Sequence, residues 1–142
     1  MRKSLLSLLF LVIIINAFAQ QDINNIQLKL KNAKHDTSRV EVLRDIMKYY
    51  VTNDPDSFAH YSEIAKELAN KIQYPKGIAM IKELDAINFE NVGDYENATK
   101  LLKQSLETYY HVNHTKGIAN VFNRLGVIEA KQSNYKVALN HF

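Results

Sequence analysis

Two imidazoles stand at i, i+3 in His111-Val112-Asn113-His114, a spacing at which one metal ion can be shared. A metal site needs further ligands at fixed geometry, and the chain has no cysteine and no carboxylate cluster beside these histidines. They read instead as surface residues at a helix end, where the charged imidazole suits the negative pole of the helix dipole. His35, His60 and His141 stand apart and read as surface. No metal is expected.

Lys76-Gly77 and Lys116-Gly117 place an amine and a small residue at helix starts, where exposed amides can hold an anion. Phosphate-binding loops require further glycines that neither string supplies, so both glycines read as interhelix turns. No Ser-His-Asp arrangement and no nucleotide fingerprint occurs. For these residues neither enzymatic activity nor a cofactor is expected. In Tyr49-Tyr50 and Tyr109-Tyr110, one ring of each pair is expected in the core and the other as a contact residue, tyrosine being common at interfaces.

These residues are carried by a chain that repeats itself every 40 positions. Lys76-Gly77-Ile78-Ala79 returns as Lys116-Gly117-Ile118-Ala119, and Asp94-Tyr95-x-x-Ala98 returns as Asn134-Tyr135-x-x-Ala138. Such a period marks units that bury their apolar faces only against neighbours. Each unit reads as a pair of helices. Ile23, Ile26 and Leu30 share one helical face behind a cap at Asp22, predicting an N-terminal cap helix within 20–35. Ser38-x-x-Glu41 has the form of a capping box opening the first pair. Asp54-Pro55 ends one helix and starts the next, with proline where its missing N–H costs nothing. The pairs are assigned to 36–74, 75–114 and 115–142, the last cut short with Tyr135, Ala138, Leu139 and Phe142 forming an uncovered apolar face. Solenoids finish on a polar capping repeat, so a longer parent chain, or self-association through that face, is expected.

The first 19 residues read as an export signal. Arg2 and Lys3 precede the apolar run Leu5–Ile15, and Ala17-Phe18-Ala19 supplies a small-x-small cleavage pattern. The run is short for a membrane span, so cleavage after Ala19 is expected, with an uncleaved anchor as the alternative. Its removal takes two cations and leaves basic and acidic side chains nearly balanced. The formal charge of +3 thus gives no support for a nucleic-acid partner or an anionic membrane surface. Without cysteine, an exported chain must hold itself by packing.

The helix pairs resemble the tetratricopeptide repeat, through Leu125, Gly126, Tyr135, Ala138 and Phe142 in the third pair and Ala86, Phe89, Tyr95, Ala98 and Leu102 in the second. The first pair matches through Ile46, Met47, Tyr50 and Ala59. The resemblance implies an all-α, right-handed solenoid of antiparallel helix pairs, with small residues admitting close backbones and large ones filling the facing gaps. The family's usual unit is about 34 residues, and HEAT and armadillo units run to about 40–47, so the period itself fits those rivals. Asp85 and Lys82 stand where the third pair has Leu125 and Phe122, so the second pair is expected to be rotated or locally loosened.

The export signal and the long units further resemble the N-terminal sensor region of bacterial sensor histidine kinases and related regulators. What this implies is a periplasmic scaffold for a protein or peptide, with a parent anchored in the inner membrane. The alternatives are a stand-alone exported scaffold and the non-catalytic front of a kinase. The resemblance places Arg44, Lys48, Glu83, Ile87, Asn123 and Val127 on the concave face. Because Glu83, Ile87 and Val127 stand at inner positions, no clamp for a C-terminal carboxylate is expected.

Overall fold

The computed structural model describes residues 23–141, and every element among them is a helix. The export-signal residues, the Asp22 cap and Phe142 lie outside that range. Helix α1 covers residues 23–32 of the described chain. It is followed by α2 (Asp36–Tyr50), α3 (Pro55–Lys71), α4 (Pro75–Asn91), α5 (Tyr95–His111), α6 (Thr115–Lys131) and α7 (Tyr135–His141). From α3 onward a helix begins every 20 residues, so the 40-residue sequence period spans two helices and two turns.

The turns after α3, α4, α5 and α6 share one backbone solution. Each helix ends with a residue at positive φ, namely Gln73, Gly93, Asn113 and Ser133. The next amide then bonds back over the last turn: Tyr74 N to Ala69 O, Asp94 N to Phe89 O and His114 N to Tyr109 O at 2.9 Å, Asn134 N to Glu129 O at 2.8 Å. This is the Schellman closure, which satisfies carbonyls left open at a helix end. Asp54 and Asp94 then cap the following helices by accepting from Ser57 N at 3.0 Å and Asn97 N at 3.1 Å.

The capping box expected at Ser38 does not form. Helix α2 starts at Asp36 behind His35, which makes no side-chain cap bond, so Ser38 lies inside the first turn. Glu41 is turned instead toward Tyr74 of the turn and Lys76 of the next unit, both of which donate to its carboxylate.

Connections of three or four residues force consecutive helices into antiparallel neighbours. Accordingly α2 packs on α3, α4 on α5 and α6 on α7, while α3–α4, α5–α6 and the series α2–α4–α6 join the pairs into a helical, repeat-like stack. Two apolar clusters form, one around Val40, Leu43, Met47, Phe58, Ala65 and Ile81, the other around Ala86, Ala98, Leu102, Tyr109, Leu125 and Ile128. Ala138 and Gly126 are also buried, Phe89 and Tyr95 are half-buried, and Tyr50 stacks on Tyr61 at 5.8 Å.

Two residues expected to pack do not. Ala59 is exposed, because the register of the repeat puts Phe58, not Ala59, 40 residues before the buried Ala98. Tyr135 is 65% exposed, since α7 has no further helix against that side among the described residues.

Candidate binding cleft

A cleft of about 720 Å³ runs across α2, α4 and α6. Residues one or two turns apart on these helices share a face, which is how side chains from three separated segments meet. It gathers Arg44, Lys48, Glu83, Ile87 and Asn123, and adds Glu41, Lys76, Tyr109, His114, Lys116, Asn120 and Arg124. Val127 does not line it and sits half-buried on α6.

Two tyrosine–glutamate bonds set the electrostatics of the cleft. At one end Tyr74 Oη and Lys76 Nζ both donate to Glu41 Oε1 at 3.0 Å. The lysine bond holds the Glu41 carboxyl below its ordinary value, against a smaller opposing effect of burial. Further in, Tyr109 Oη donates to Glu83 Oε2 at 2.8 Å. Here burial wins: it pushes Glu83 up despite the Tyr109 bond and the nearby Arg124 and Arg44, and it pushes the Tyr109 phenol far up as well. Arg44 pairs with Asp45 and keeps its Nε buried with no hydrogen-bond partner.

His114 corrects the reading of the two imidazoles as a surface pair. His111 is exposed at the end of α5, while His114 caps α6, its Nδ1 accepting from Gly117 N at 3.0 Å with the ring 5.0 Å from Tyr109. Burial, helped by Lys76, Lys116 and Arg44, holds His114 below the ordinary imidazole value, which keeps Nδ1 free to accept. Among the described residues no group of three histidine, cysteine or acidic side chains is placed to hold a metal.

The glycines of the two Lys-Gly strings are not in the turns. Gly77 and Gly117 are buried in the first turn of α4 and α6. A Cβ on Gly77 would lie 2.4 Å from the Tyr74 ring, and one on Gly117 2.6 Å from the Tyr109 ring. They are glycine because aromatic rings lie on the backbone.

Sequence reasoning missed Glu90, which is buried and receives Lys131 Nζ at 2.6 Å and Arg124 Nη1 at 3.5 Å. This pairing fixes Arg124 at the cleft rim. No local signal marks it, because Lys131 lies 41 residues away on another helix. The cleft offers lysine and arginine cations, asparagine amides and the bonded carboxylates of Glu41, Asp45 and the half-buried Glu83, a set suited to holding backbone carbonyls and acidic side chains. No family model, curated protein or solved structure matches the chain.

Proposed function

We propose that this chain is a tetratricopeptide-like scaffold, a solenoid of helix pairs exported to the periplasm, that holds a protein segment in the α2–α4–α6 cleft as the sensory or interaction part of a signalling protein. The observation that carries this reading is the cleft itself: five of the residues chosen for a concave face line one cavity on a repeat-like stack. Its partner is a protein or peptide. Glu83 and Ile87 at the centre leave no place for a terminal carboxylate, so internal segments are bound as well as C-terminal ones.

A peptide display library selected against the full chain tests this. Binders should lose about tenfold or more in affinity to Arg124→Glu or Lys48→Glu, in keeping with the cost of opposing charges at an interface. Capping the peptide C-terminus as an amide should leave affinity unchanged. Binders insensitive to both cleft substitutions, or an absolute need for a free carboxylate, would overturn the proposal.

A further inference from the structure

A second cavity, of about 630 Å³, lies between α3 and α4 and reaches Leu101 of α5. Its α4 residues fall on the face opposite the one that lines the charged cleft, so the two spaces are separate. Phe58 and Ile81 are buried in its wall, and Ile78 and Phe89 are half-buried there.

Into this apolar space come Ser62, Lys66, Lys82, Asp85 and Asn88. The residues 40 positions later are Leu102, Leu106, Phe122, Leu125 and Ile128. In the later copy these positions are apolar, with Leu102, Leu125 and Ile128 buried in one cluster and Leu106 and Phe122 half-buried. One junction of the stack therefore fills this space with hydrocarbon, and the other replaces five apolar residues with polar ones and leaves a cavity. Loose packing alone would shorten apolar residues; it would not place an ordered polar chain inside.

That chain is built. Ser62 is buried and its Oγ donates to Asp85 Oδ1 at 2.9 Å. Asp85 Oδ2 lies 3.2 Å from Lys66 Nζ, which also reaches Glu63 at 3.3 Å. The two acids thus share Lys66. The four charges lining the cavity cancel, but Lys82 enters no ion pair among the described residues, so one amine is left open to an anionic head group.

We propose that the α3–α4 cavity binds a small apolar monoanion, a medium-chain or aromatic carboxylate, whose body lies against Phe58, Ile78, Ile81 and Phe89 and whose head group meets Lys82 and Asn88. The volume suits such a ligand, since small-molecule sites occupy about 300–1,000 Å³ and combine apolar walls with few polar groups. The site stands independently of the charged cleft.

Sodium decanoate and, as the charge-reversed control, decylamine are titrated into the full chain by calorimetry, with thermal unfolding followed by circular dichroism. Decanoate should bind and raise the unfolding temperature, and decylamine should not. Lys82→Gln should weaken decanoate about fivefold, the effect of one partly exposed ion pair. The triple variant Ser62→Leu, Lys82→Phe and Asp85→Leu writes the later junction into the earlier one without changing net charge. It should bind no decanoate and unfold at a higher temperature. Because the apolar N-terminal run is common to all variants, differences between them report the cavity alone. Equal binding of decylamine, absence of decanoate binding, or unchanged affinity in Lys82→Gln would each overturn the proposal. Should the triple variant fail to fold, Lys82→Gln decides by itself.

Discussion

The string Lys-Gly-Ile-Ala opens both α4 and α6, yet the two junctions are built from different side chains. At the first, the ring against Gly77 is Tyr74, from the turn itself, and its hydroxyl binds the half-exposed Glu41 together with Lys76. At the second, His114 stands in place of Tyr74, lies against Gly117 and caps the helix, and a second ring, the buried Tyr109 from α5, crowds the same glycine while binding Glu83. Lys116 is exposed where Lys76 is paired. The repeated string thus records a constraint on the backbone, the close approach of a ring to a glycine. What meets it is free to differ, and the two junctions differ beneath it, one holding the polar Ser62–Asp85–Lys66 network and the other an apolar cluster.

The core beneath each junction gives the largest test. Leu102 is buried among apolar residues, and its counterpart Ser62 is buried against Asp85. Leu102→Ala should cost about 2–5 kcal/mol, as lost transfer energy plus a cavity. Ser62→Ala should cost only about 1 kcal/mol, the loss of one hydrogen bond. Urea midpoints at unchanged slope would read both. Equal losses would mean that the two junctions are energetically alike.

Next come the glycines. In an open helix, Gly→Ala gains about 0.5–1 kcal/mol. Here the added Cβ meets a ring, and overpacking costs about 1–3 kcal/mol. At Gly117 the Cβ meets two rings, His114 and a Tyr109 fixed by burial and by Glu83, whereas at Gly77 it meets one half-buried ring, Tyr74, and the buried Val40 side chain at 2.9 Å. Gly117→Ala should therefore destabilise by about 2 kcal/mol more than a surface substitution, and Gly77→Ala by less. A stabilised Gly117→Ala protein would contradict the ring contact.

The glutamates give opposite pH dependences. Glu83 has a raised carboxyl in the folded chain, so the folded state holds its proton more tightly than the unfolded one. Its contribution is fully present below the ordinary value near 4.5 and is lost as pH rises through the raised value. Glu41 is lowered, so its contribution is present above 4.5 and is lost as pH falls through the lowered value. Glu83→Gln should flatten the decline above pH 4.5 and Glu41→Gln the decline below it. Denaturant midpoints across that range measure both, and matching profiles for the two variants would remove the distinction between the junctions.

Much of the helix layout is legible in the sequence because turn chemistry is local. Asp54-Pro55 and Gly93-Asp94 each announce a helix start, and α3 and α5 begin there. Ser38 and Glu41 fit an equally good local rule and fail it, Glu41 finding its partner 35 residues away. Ala59 misleads by one position, since an exposed alanine beside a buried phenylalanine differs from the reverse only in helical phase. At the sites the limit is the same: Tyr109–Glu83 and Lys131–Glu90 depend on how helices stack, which no single helix encodes. Lys82 and Asp85 are visible as departures from the repeat, but only the stack shows that Ser62, Lys66 and Asn88 depart into the same space.

The smallest effects lie in the turns, and they compare the two junctions without touching their cores. Gln73 before the first junction and Asn113 before the second both adopt left-handed backbone, with φ of 50° and 53°. That conformation costs an ordinary L residue about 1–2 kcal/mol and asparagine less, because its short side chain bonds locally. Glycine relieves this strain but loses about 0.5–1 kcal/mol to the freedom of the unfolded chain. Gln73→Gly should therefore gain about 0.5–1 kcal/mol, and Asn113→Gly should change stability little. Gly93, at φ 80°, supplies the reverse control: a Cβ there meets nothing within 4 Å, so Gly93→Ala isolates the backbone term as a loss. Thermal unfolding of the three variants tests the order. If Asn113→Gly gained as much as Gln73→Gly, asparagine would not be relieving the strain, and the difference between the turns would lie in the rings of Tyr74 and His114 that follow them.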